Sequence, residues 1–150
     1  TKDLSEATDK ANRARVALMD TRGGPDGSGP AIIAAHDTTY AAVTAEIAHL
    51  SEFATPPAAR MTELRALQST IQRSKTAEVT RHLRGESDRA AALPDTDMPA
   101  KRDAIIRTNS AELAHLQQVP GADAGRMGAL EKAITDTRRA RAVAAPIPIT

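Results

Sequence analysis

Residues 56–93 read PPAARMTELRALQSTIQRSKTAEVTRHLRGESDRAAAL, the longest uninterrupted helical pattern in the chain. Met61, Leu64, Leu67 and Ile71, then Ala77, Val79 and Leu83, recur at steps that keep them on one side of a helix. Thr55 followed by Pro56 and Pro57 forms a helix start: threonine caps, and proline suits a first turn whose N–H groups are unpaired anyway. Gly85 is the weak point, because an interior glycine costs about 1 kcal/mol relative to alanine. The pattern therefore allows the helix to stop there, with Ser87 capping a short new one. Residues on either side of this stretch supply the helices expected to cover it.

Outward toward the N-terminus, a second helix is expected from about Pro30 to Ala54, with Ile33, His36, Tyr40, Val43, Ile47 and Leu50 on its inner stripe. Before it lies GGPDGSGP, a loop by composition. A first helix from about Asp3 to Arg22 carries a narrow stripe of Leu4, Ala7, Ala11, Ala14 and Leu18. Toward the C-terminus, LPDTDMP breaks the chain and Asp97 caps a fourth helix, Met98 to Gln118, facing inward with Ile105, Ile106, Leu113 and Leu116. After VPGAD, Asp123 caps a fifth helix to about Val143, with Met127, Leu130, Ile134 and Thr137 inside. Strand-forming clusters of β-branched and aromatic residues are scarce: one Phe, one Tyr and no Trp stand among abundant alanines. The expected fold is all-α, an antiparallel bundle of about five helices with a four-helix core plus an extra helix. One domain is expected over 1–145, with 146–150 as a linker or tail.

Composition excludes several classes. At 150 residues and net charge +1, no single-signed field favours nucleic acid or an anionic membrane. Without cysteine there is no disulfide and no thiolate metal site. No apolar run approaches the roughly 18 residues of a membrane span. The start without Met and the ending APIPIT suggest a domain cut from a longer chain. Arginine's dominance over lysine fits a GC-rich bacterial genome. No phosphate-binding loop, nucleophile elbow or H-E-x-x-H motif is present, and no cofactor is expected.

One local echo stands out: AEIAHL at 45–50 and AELAHL at 111–116. The flanking residues do not extend it, and no duplication is expected from it. It does create two E-x-x-H pairs, Glu46/His49 and Glu112/His115. In carboxylate-bridged metal bundles two helices each supply such a pair and two others each supply a glutamate, here Glu6 and Glu63. Helical phase opposes that arrangement. With Ile47 as the centre of its stripe, Glu46 lies about 100° aside and His49 about 160° away. Taking Leu113 as centre puts His115 on the solvent side as well. His36 and Tyr40, on an inward stripe, are the candidate contacts for a small polar ligand.

TRHLRGESD (80–88) and LQQVPGADAG (116–125) resemble, in two short stretches, bacterial Rho GTPase-activating effector domains. The resemblance implies a helical bundle with Arg84 as an arginine finger that neutralises charge on a transferred phosphoryl group. Arg81 stands where the family has Gly, Asp88 where it has Thr, and the second motif lacks its Trp. The long helices are also similar to the four-helix ligand-sensing domains of bacterial chemoreceptors. The favoured expectation is a non-enzymatic module of a larger bacterial protein that offers a helix face to a protein partner. Short links between helices also permit exchange of a helix between two copies, a route to a homodimer.

Overall fold

The computed structural model describes residues 8–14, 17 and 29–144. The chain is all-α: α1 (helical at residues 8–14 and 17), α2 (Gly29–Ser51), α3 (Ala58–Ala91), α4 (Met98–Leu116) and α5 (Ala124–Ala144). A single 3₁₀ turn, Asp95–Asp97, precedes α4. No helix among the described residues is long and apolar enough to cross a membrane. The stripe expected near Leu4 and the tail after Ala144 lie outside the described residues.

Local chemistry sets the boundaries. Asp97 caps α4 by accepting a hydrogen bond from the Ala100 N–H at 3.1 Å, with Pro99 in the first turn. Asp123 does the same for α5 through the Arg126 N–H, also at 3.1 Å. Gly121 sits between them at φ 72°, a left-handed conformation that side chains strain to reach. α3 runs through Gly85 without a break. The neighbouring turns supply enough helical propensity and packing to offset one glycine.

Packing groups the chain into two compact units, Thr1–Val79 and Thr80–Thr150, and α3 contributes to both. In the first unit, Ala11 of α1, Ala42, Val43 and Leu50 of α2, and Met61, Leu64 and Ile71 of α3 form one apolar cluster. Tyr40, Ile47, Phe53 and Leu67 pack against it, and Thr39 ties α2 to α1 by donating to the Ala14 carbonyl at 3.1 Å. In the second unit the buried set is more polar. Ala90, Ala104, Leu116, Leu130 and Ile134 share the interior with Ser87, Thr108, Asn109 and Glu112.

The inner face of α2 differs from the one expected. Its buried residues include Ile32, His36, Thr39, Val43, Glu46 and Leu50, a four-three alternation typical of a bundle seam. Ile47 is flanking and half-buried, as is Leu113 in α4. Half of the seam is polar: His36, Val43 and Leu50 lie on it as expected, whereas Ile32, Thr39 and Glu46 take the places expected of Ile33, Tyr40 and Ile47, which are half-buried beside it.

Candidate functional site: two buried glutamate–arginine clamps

That shift in phase brings both echo glutamates inside. Glu46 is fully buried and Glu112 is 1 % exposed. A bare carboxylate in such a place would carry a large desolvation cost, so each requires a cation and directed hydrogen bonds. Arg60 supplies them to Glu46: Nε donates to Oε2 at 2.6 Å and a terminal nitrogen to Oε1 at 2.8 Å. Arg126 grips Glu112 in the same manner, at 2.7 and 2.8 Å through the same pair of atoms. This is the side-by-side geometry in which a planar guanidinium matches a carboxylate best.

The two clamps are equivalent in sequence as well. Each arginine follows its glutamate by 14 residues, across the corner between consecutive helices. Glu46 and Glu112 are 66 positions apart, and so are Arg60 and Arg126. At that same offset Arg60-Met61 and Leu64 match Arg126-Met127 and Leu130. A second contact repeats too: Lys75 pairs with Asp37 at 2.6 Å, and Arg141 with Asp103 at 3.2 Å. The echo therefore does extend, through residues whose spacing follows the helix corner. The helix–corner–helix of α2 and α3 recurs as α4 and α5, correcting the expectation that AEIAHL and AELAHL stand alone. The corners differ in chemistry, prolines in one and Gly121 with a capping Asp123 in the other, while the interval from glutamate to arginine across them is the same.

Electrostatics follow from the geometry at Glu112. Burial alone would raise its pKa. Hydrogen bonding from Arg126, a contribution from the Ser87 hydroxyl and the fields of Arg126 and Arg84 outweigh that, and hold the carboxyl below the usual glutamate range. Arg126, in turn, is pushed further up by its bond to Glu112. Arg60 is raised by Glu46 in the same way, and it also bonds Glu63 at 2.8 Å. A cavity of about 160 Å³ opens beside the second clamp, lined by Thr80, Arg84, Leu116 and Arg126 among others.

Compared with protein-family models, curated proteins and solved structures, the chain matches none.

The candidate metal ligands of the two E-x-x-H pairs have other occupations. Glu46 and Glu112 each face a guanidinium, which stands where a cation would be bound. His115 Nε2 lies 2.8 Å from the Thr80 hydroxyl. Both histidines are half-buried rather than turned to solvent. His49 stacks edge-on against Phe53 with ring centres 5.8 Å apart, and its Nε2 is buried without a hydrogen-bond partner among the described residues. Glu6 lies outside the described residues. Among those described, no group of three or more His, Asp or Glu is placed to hold a metal ion.

His36 is completely buried. Its Nδ1 donates to the Ile32 carbonyl at 2.8 Å, and Nε2 lies 2.8 Å from Ser74 Oγ on α3. Nδ1 thus bonds within α2 itself, and Nε2 joins α2 to α3 within the first unit. Tyr40 packs on the apolar cluster nearby. Arg84 is exposed at the rim of the small cavity and contributes its field to Glu112. The missed residues are Arg60 and Arg126. Their signal was R-M-x-x-L recurring at one fixed distance from each A-E-x-A-H-L.

Proposed function

We propose that the chain is a non-enzymatic protein–protein interaction module of a larger bacterial protein, built from two similar helical units. One observation carries the reading: both deeply buried carboxylates are closed by arginines of their own unit. Such a pair holds a helix corner in place, and each carboxylate's charge is already balanced by a guanidinium bonded to both of its oxygens. The buried imidazole is likewise engaged on both sides. What the framework presents outward is helix surface, the usual currency of helical recognition modules.

A thermal melt of the chain against divalent metals, small carboxylates and amino acids tests this. A ligand at a hundred times its dissociation constant adds about 2.7 kcal/mol, several degrees for a chain of this size. The module reading expects no shift across the panel. A shift with zinc or iron that Glu112→Gln abolishes would replace it with a metal-binding reading. A shift with a small organic acid would make the chain a sensor.

A further inference from the structure

The two repeated helix pairs differ at one place where the first is closed and the second is open. Between α4 and α5 a groove of about 520 Å³ is lined by Arg102, Asp136, Arg139, Ala140, Val143 and Ala144. Val143 is 82 % exposed, the most exposed large apolar residue among those described. Sixty-six positions earlier, Arg102 and Ala140 correspond to His36 and Ser74. There the same position is shut: His36 and Ser74 are hydrogen-bonded at 2.8 Å and His36 has no exposure. One turn along, Thr39 is bonded to the backbone of α1. The first unit thus lays a third helix, with Ala11 and Ala14 on its contact face, beside this part of the pair. In the second unit Val143 and Ala144 are exposed and Arg102 is half-buried, and helix α3 has already ended at Ala91.

Charge selects the occupant. Arg102 has no ion-pair partner among the described residues, and Arg138 and Arg139 stand exposed on the adjoining turn of α5. The single acid of the lining, Asp136, is already bonded to Lys132 at 2.8 Å. The groove is therefore an apolar floor with a cationic rim. We propose that it receives an amphipathic helix of a partner protein, with small apolar residues toward Ala140 and Val143 and acidic residues toward Arg102 and Arg139. Small residues are needed because a helix closing on alanines approaches closely, as α1 does in the first unit. This rests on the interaction-module reading and names the surface that would carry it. Rim arginines of this kind set partner choice and encounter rate more than total affinity.

The test is photo-crosslinking in the producing cell. A benzophenone amino acid replaces Ala140 in the full chain, and separately replaces Gln72, an exposed position of the first unit. The expected result is an adduct at 140 whose mapped partner peptide is an acidic amphipathic helix. The paired change Arg102→Glu and Arg139→Glu should reduce its yield by about tenfold, since like charges then face each other, while the melting temperature stays the same. A 140 adduct only to the chain's own tail, to a second copy, or to a segment without acidic residues would overturn the proposal. An adduct at 72 and none at 140 would overturn the groove while leaving an interaction module standing. No adduct at either position would remove both.

Discussion

A carboxylate sealed from water keeps its charge only while its partner holds it. Glu112 makes that dependence measurable. Because its folded pKa lies below the ordinary glutamate value, its ionisation stabilises the second unit above that value. The contribution is lost as pH falls through the depressed folded value. Melting temperature followed from about pH 6 down to about pH 3, across the ordinary glutamate range, should therefore drop. Glu112→Gln should be less stable at the upper end and should show a shallower drop. Equal slopes in the two proteins would show that other carboxylates govern the acid limb. The same residue explains why its site was hard to read. Glutamate scores as a surface residue, and nothing local in AELAHL marks it as buried. Its burial becomes legible only with Arg126, 14 positions later and beyond a helix corner. Thr39 misled in the same way, as a polar residue within a seam, whereas His36 was legible from its place on the stripe.

Among the elements, α3 sets the architecture, and its behaviour at Gly85 is the informative point. A methyl group built at Gly85 would meet only the Arg89 guanidinium, at 3.6 Å, an ordinary contact with a flexible side chain. Gly85→Ala should therefore stabilise the chain by about 1 kcal/mol and raise the melting temperature by about 3 °C. A decrease would mean that the glycine serves a bend or a partner's close approach. Helix identities and the caps of α4 and α5 were plain from the sequence, because Asp97 and Asp123 act within one turn of themselves, whereas α3 begins at Ala58, after both prolines and beyond the expected Thr55 cap. The continuity of α3 was not, because propensity weighs one glycine against neighbours whose tertiary packing it cannot include. The rotation of α2 and α4 about their axes was lost for a related reason: Ile47 and Leu113 are the most apolar residues nearby, yet they flank the seam.

For the whole molecule, the repetition of clamps makes stability a property of each unit. Arg126→Ala leaves a buried carboxylate without its cation, at a cost of about 3 kcal/mol or more. Amide hydrogen exchange should then accelerate in α4 and α5, while protection in α2 changes little. Arg60→Ala should give the mirror result, with α2 affected and α5 spared. Uniform acceleration from either substitution would show one cooperative body instead. The all-α class and the number of helices could be read from alanine content and helical periodicity. The recurrence was less accessible because equivalent positions share roles more than letters: Lys75 answers to Arg141, Ile47 to Leu113, and paired prolines to a glycine corner.

The fixed interval between each acid and its arginine also bears on how such a chain tolerates changes in its gene. Insertion or loss of one whole unit carries both members of a clamp together, and no buried charge is orphaned. A deletion of a few codons within the corner separates them, and leaves a carboxylate in the interior facing nothing. Length variation in whole multiples of the unit thus keeps each clamp intact, whereas a change of length inside the fourteen-residue interval breaks one.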